Sequence, residues 1–245
     1  MADWIMPDWP APETVMACCT TRNGGHSEAG CRSFNLATHV EDDPHTVELN
    51  RQLLIKELLL PGEPRWLEQV HSTDVVDLDS SSERRADAAL TSKPGTVAVV
   101  MTADCLPALI TNTEGSEVAA AHAGWRGLLN GILEKTVTSM KSPPDRLMVW
   151  LGPAIGPDHF EVGEEVFEAF ARHDPAAEKY FKANRPGHYL ADLYGLARQR
   201  LNSVGIDAIY GGNHCTFRDE QHWFSYRRNK CCGRQASLIY IKPNP

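Results

Sequence analysis

VAVVMTADCLPALITNTEGSEVAAAHAGWR, residues 97–126, sets three apolar runs against two polar interruptions. Val97–Met101 is β-branched and apolar, as a buried strand requires. Leu109-Ile110 and Val118–Ala121 repeat that character on either side of the turn-forming Asn112-Thr113-Glu114-Gly115. Between the first two runs stand Asp104 and Cys105, a carboxylate and a thiol where an ordinary core places neither. The third run delivers His122 and then Gly124-Trp125-Arg126. Two strand ends each presenting a metal-competent or nucleophilic side chain, followed by tight turns, have the layout of a site.

Working outward, the helix expected over Gly127 to Met140 places Leu128, Leu129, Ile132, Leu133, Thr136, Val137 and Met140 on one face, and Pro143-Pro144 stops it. Leu147–Leu151 reads as a buried strand leading into Gly152-Pro153-Ala154-Ile155-Gly156-Pro157. Helices are expected over Glu164–Arg172 and Asp192–Val204, the second capped by Asp192 and ended by Gly205. Strands are expected at Ile206–Tyr210, His222–Tyr226 and Ala236–Ile241. On the N-terminal side, residues 1–14 read as irregular and Val15–Thr20 as a strand. A helix runs over Asp43 to Leu60, with Pro44 suited to its first turn. Trp66–His71 and Val75-Val76 read as short strands. No repeat, low-complexity tract or linker stands out, so residues 1–245 read as one domain.

Composition bounds the function. At 245 residues and 42% hydrophobic, the chain can bury a sizeable core. A net charge of -8 argues against a nucleic-acid partner, which asks for a basic face. No apolar tract is long enough to cross a bilayer, and the longest carries Asp104. Seven cysteines without a basic, apolar leader favour reduced thiols and a cytoplasmic location.

His71, Cys105 and His122 each end an apolar run, and a catalytic zinc site uses three such ligands with a fourth position open. Their gaps are too wide for a compact zinc-finger loop. The plainer readings are packed histidines and a small buried thiol. Asp104 beside the thiol reads as a partner to the ligands or a proton carrier, and Arg126 as an anion holder. Arg22, beside Gly24 and Gly25, offers a second cation next to turn amides, whose plainer reading is a hairpin. Of the adjacent Arg227 and Arg228, one faces inward toward an anion, and an ion pair is the preferred reading for Arg227. Cys231-Cys232 reads as a reduced, partly exposed pair.

These residues resemble a known family, the YfiH-like proteins, also named the polyphenol oxidase or laccase-domain family and in part purine nucleoside phosphorylases. The resemblance lies in Thr20–Ser27, Phe34-Asn35-Leu36, Asn50-Arg51, Gln69-Val70-His71, Ala86-Asp87-Ala88 and Thr102–Pro107. It continues through His122–Gly127, Leu151–Pro157, Glu161–Gly163, Cys215-Thr216 and Phe224–Arg228. TADCLP with HAGWRG is a specific pair. Two departures are Asn229, where the family has aspartate, and Cys232, where it has threonine. The resemblance implies an α+β fold, a single-domain layered sandwich of mixed sheets flanked by helices. It also implies a zinc ion on His71, Cys105 and His122.

The same resemblance implies phosphorolysis of purine nucleosides (adenosine, inosine, guanosine, methylthioadenosine) by inorganic phosphate, with adenosine deamination at the zinc site. Asp104, Cys105 and His122 are then the expected catalytic groups, and Arg22, Arg126 and Arg228 the phosphate holders. Copper is the weaker alternative metal: a multicopper oxidase gathers many histidines, whereas these ten histidines include no His-x-His pair. A Cys/His hydrolase resembling the cytotoxic necrotizing toxins, with Cys105 as nucleophile, is a rival reading. Others are a peptidoglycan-precursor editing hydrolase and a non-catalytic metal-binding module.

Overall fold

The three apolar runs become three consecutive strands in the computed structural model, which describes residues 2–243. In chain order the first elements are β1 (Trp4–Ile5), β2 (Val15–Thr20), α1 (Pro44–Glu57), β3 (Val75–Asp77) and β4 (Ala88–Thr91). The central stretch supplies β5 (Ala98–Thr102), β6 (Leu106–Asn112) and β7 (Val118–Ala123), followed by α2 (Trp125–Asn130) and α3 (Ile132–Ser139). Then come β8 (Leu147–Leu151), β9 (Glu161–Gly163), α4 (Glu164–His173), β10 (Phe181–Arg185) and β11 (His188–Ala191). The chain closes with α5 (Leu193–Ser203), β12 (Ile209–Gly211) and β13 (Gln235–Ile241).

These strands form a four-stranded sheet in the order β1-β2-β13-β5, a six-stranded sheet β12-β8-β6-β7-β4-β3, and a small sheet β10-β11-β9. The four-stranded sheet is antiparallel throughout. The six-stranded sheet is mixed, because β12 joins β8 and β3 joins β4 in parallel at its two edges. Side-chain alternation along each strand sorts the core into layers. Ala98, Val100 and Ile239 of the first sheet meet Leu109, Val118, Ala120 and Trp150 of the second. The outer face of the first sheet, with Val99, Met101 and Leu238, packs on Leu54 and Leu58 of the α1 segment. The outer face of the second, with Ala108, Ile110, Ala119 and Val149, packs on the apolar faces of α2 to α5. The result is an α+β sandwich of helix, sheet, sheet and helix.

The chain crosses between the sheets once at the site. β5 belongs to one sheet and β6 to the other, so Ala103-Asp104-Cys105 bridges the layers. Asp104 makes this crossing with φ 89, in the left-handed region.

Several expectations are corrected. Residues 1–14 are not wholly irregular, since Trp4–Ile5 pairs with Thr20 and Cys19. The helix expected from Gly127 to Met140 is two helices. Gly131, at φ 94, ends α2 and its amide returns to Gly127 and Leu128. Trp66–His71 is not a strand: the amides of Val70 and His71 donate to the Asp87 carboxylate instead of to a ladder. His222–Tyr226 is not one either, because the Gln235 side-chain amide takes the backbone of Phe224 in both directions. The cap of α5 is as expected, Asp192 accepting from Gly195.

Candidate metal centre and the cavity beside it

Strand register brings the three ligand-type side chains together. β6 and β7 pair Leu106 with Ala123 and Pro107 with His122, which sets Cys105 across from Gly124. A Cβ on Gly124 would lie 3.0 Å from both Cys105 Sγ and His71 Cδ2, so any side chain there would press on both. β4 pairs Ala88 with Ala121, and the His122 amide donates to the Asp87 carbonyl at 2.7 Å. His71 arrives from the other side on a turn with φ 59. The ligand atoms of His71, Cys105 and His122 all lie within 4.8 Å of one another. Cys105 Sγ is 3.8 Å from His71 Nε2, and the two imidazoles meet edge to face.

Asp87 organises this cluster. Its carboxylate is fully buried, lies 2.8 Å from His122 Nδ1 and accepts the amides of Val70, His71 and Ser72 at 3.2, 3.0 and 2.6 Å. One side chain therefore fixes the His122 ring and the turn that carries His71. With Nδ1 held by Asp87, the Nε2 of His122 is the atom left for a ligand. Burial pushes the Asp87 carboxyl up, but hydrogen bonds from His122 and Ser72 outweigh it and leave it below the usual range. Burial likewise pushes the Cys105 thiol up, and the charges and hydrogen bonds of His122 and His71 overcome it and draw it well down. For His122, burial works against the proton while Cys105 and Asp87 raise the group. Thiolate and imidazole donors around an open position fit a borderline-soft cation such as zinc.

Beside the cluster is a cavity of about 410 Å³ lined by His39, Gln69, Thr102, Tyr226 and Arg234 as well as His71, Cys105 and His122. That volume falls within the range of small-molecule sites. Tyr226 is half exposed at its edge.

The other expected site residues lie elsewhere. Asp104, next to Cys105 in sequence, turns away: it accepts from Thr216 Oγ1 and from the Arg227 amide, each at 2.6 Å. Arg22 spends Nε and Nη2 on the Arg32 carbonyl and Nη1 on that of Glu220. The neighbouring Gly25 amide is taken by Ser33 Oγ, so that turn offers no open cradle there. Arg228 is the inward arginine of its pair, but it donates to the carbonyls of Thr216, Phe217 and Trp223. Its acidic neighbour is Glu220, 3.7 Å away, whereas Arg227 stacks on Phe160 instead of making an ion pair. Arg126 is exposed and lies over Trp125. None of these three expected phosphate holders lines the cavity. Cys231 is exposed and Cys232 buried, both free.

Asp87 stood in a matching segment without a role, and Arg234 and His39 were given none by the sequence reading. A lone aspartate between alanines before a buried strand was the available signal for Asp87. The Gly233-Arg234 pair stands just before β13, where strand pairing had to bring it to β5.

Residues 16–242 match the family model for multi-copper polyphenol oxidoreductase laccase. A Pseudomonas aeruginosa protein named purine nucleoside phosphorylase is 51% identical over 243 residues, covering 99% of this chain and all of its own length. Purine nucleoside phosphorylase YfiH of Escherichia coli is also 51% identical, over 98% of this chain and 100% of its own. Among solved structures, a Neisseria meningitidis protein superimposes with a TM-score of 0.94 at 45% identity, over 98% of this chain and 99% of its own. YlmD of Geobacillus stearothermophilus gives 0.90 at 30% identity, over 98% and 96%.

Proposed function

We propose that this chain, which belongs to the multi-copper polyphenol oxidoreductase laccase family, is a purine nucleoside phosphorylase that cleaves adenosine, inosine, guanosine and methylthioadenosine with inorganic phosphate. The observation that carries this reading is the opening of the His71–Cys105–His122 cluster into a cavity large enough for a nucleoside. Relatives matching over nearly the whole chain and named for that activity support it. The same site is proposed to deaminate adenosine.

His71, Cys105 and His122 are the proposed zinc ligands. A zinc ion held there with one position open supplies Lewis acidity toward a substrate oxygen or water, which purine deamination at C6 requires. The protein's own contribution is orientation. Asp87 holds His122 through Nδ1, which leaves Nε2 as the atom for a ligand, and sets the turn bearing His71. Gln69 is locked to both the amide and the carbonyl of Met101, which fixes the cavity wall beside His71. The ring of Tyr226 offers an aromatic face of the kind on which a purine stacks. Phosphorolysis further requires phosphate held against the sugar C1′ as positive charge develops there.

The experiment is incubation of the purified protein with inosine, with and without phosphate, alongside elemental analysis. Hypoxanthine and ribose 1-phosphate, formed only with phosphate and with one zinc per chain, are the expected outcome. Equal purine release without phosphate would replace a phosphorylase by a hydrolase. Several equivalents of copper would return the oxidase reading. The lowered Cys105 thiol favours one further reading, a metal-free thiol hydrolase, and full activity in chelated protein would select it.

A further inference from the structure

The cavity holds an arginine and, apart from the Cys105 thiol of the cluster, no acidic group among the described residues. Arg234 and His39 both line it, and among the described residues no aspartate or glutamate does, in a chain of net charge -8. An acidic protein that sets an arginine and a histidine on a cavity wall without a carboxylate has built a place for an anion.

The gathering is fixed by backbone pairing. β13 lies against β5 with Gln235 opposite Thr102, so Arg234 emerges beside the end of β5. The Arg234 amide donates to Asn35 Oδ1 at 2.9 Å and its carbonyl accepts from Leu36, which stitches the loop carrying His39 to the same place. Three segments far apart in sequence thus converge on one wall.

Each contributes capacity that the protein leaves unused. Arg234 lies over the Tyr226 ring and spends Nη1 on the carbonyls of Cys232 and Gly233 and on the Cys232 thiol, while its Nε and Nη2 make no hydrogen bond among the described residues. Arg22 and Arg228, by contrast, have every guanidinium nitrogen facing a protein oxygen. Thr102 is 2% exposed, and its hydroxyl has no partner although it lines the cavity. A buried hydroxyl without a partner costs stability unless a ligand supplies one. His39 is held below its ordinary range by desolvation and then by the nearby charges of Arg234 and Arg51, a tension that a bound anion relieves.

We propose that Arg234, His39 and the Thr102 hydroxyl form the subsite for a phosphate-type oxyanion, which on the function proposed above is the attacking inorganic phosphate. Arg234 supplies two donors from one planar group, the geometry that suits a tetrahedral oxyanion. The subsite shares the cavity with the metal cluster, so the anion and the nucleoside would meet inside it.

The test is titration of inorganic phosphate into the zinc-loaded protein by calorimetry, with parallel measurement of KM for phosphate and for inosine. Arg234→Gln should weaken phosphate binding at least roughly tenfold, as expected for a lost charged hydrogen bond, and raise the phosphate KM more than the inosine KM. Arg234→Lys should recover part of the loss. His39→Asn and Thr102→Val should weaken phosphate in the same direction, and they carry the test if Arg234→Gln does not fold. Equal phosphate affinity in wild type and all folded variants overturns the subsite even if phosphorolysis proceeds. Wild-type protein that binds phosphate through Arg234 yet releases purine without it would keep the subsite and overturn the phosphorylase reading.

Discussion

Asp87 and Asp104 are both buried carboxylates within reach of a metal-competent residue, and their partners give them opposite work. Asp87 faces His122 and the amides that carry His71, whereas Asp104 faces Thr216 and Arg227. Asp87→Asn should lower zinc affinity about 10–100-fold, as loss of a carboxylate behind a ligating histidine does, with chelator competition as the measurement. Asp104→Asn should leave zinc affinity near wild type and lower stability by about 1.5–3 kcal/mol, the scale of a charged hydrogen bond, in denaturant unfolding. A folded Asp104→Asn protein with full zinc and no turnover would restore the proton-carrier role. The sequence pointed to Asp104 because it adjoins Cys105, but a residue at φ 89 sends its side chain away from its neighbour's. The convergence of His71, Cys105 and His122 was legible, Cys105 and His122 because they stand at strand ends, although His71 proves to lie on a turn. The arginines were not. Whether a guanidinium meets a carbonyl or a cavity depends on loops joined only in three dimensions, as Arg228 with Thr216 and Arg234 with Asn35 show.

At the scale of elements, the site depends on the open end of the β6–β7 ladder. Cys105 and Gly124 stand just beyond the last pair, Leu106 with Ala123, and the missing side chain of Gly124 leaves room for Cys105 and His71 to approach. Gly124 has φ -62, an ordinary backbone conformation for any residue, so alanine there is a test of space alone. Gly124→Ala should therefore weaken metal binding while leaving the melting temperature of the metal-free protein within a few degrees of wild type. Unchanged zinc affinity in that variant would mean the ligands have room to move apart. Elements with strong apolar patterning were readable in the sequence: Val15–Thr20 and Leu147–Leu151 form as expected. The hairpin of β10 and β11 was not, because Phe181–Arg185 is almost wholly exposed and carries no apolar alternation. Its geometry comes instead from pairing with β9 and from the Glu161–Arg185 ion pair. The break at Gly131 was hidden because the apolar stripe of α2 and α3 continues across it.

For the whole molecule, the question is whether the proposed zinc holds the fold or only works within it. Small zinc domains unfold without metal because they have little else. Here the two large sheets are packed on both faces, and the proposed metal ligands sit beside those cores, Cys105 and His122 at strand ends and His71 on a turn. Asp87 also ties His122 to the 70–72 turn without any ion. Chelated protein should thus keep its far-UV circular dichroism and a cooperative melt. Its melting temperature should still fall, because a ligand that binds only the native state stabilises it by mass action. At a free concentration of 1,000 times Kd this is about 4.1 kcal/mol, and at roughly 2–4 °C per kcal/mol for a chain of this size it amounts to about 8–16 °C. Deamination of adenosine should be lost on chelation and return with added zinc. Collapse of the circular dichroism on chelation would make the ion a structural element and the sandwich insufficient by itself. A melt that does not move at all, with activity intact, would remove the metal from the reaction and leave the Cys105 thiolate as the reactive group.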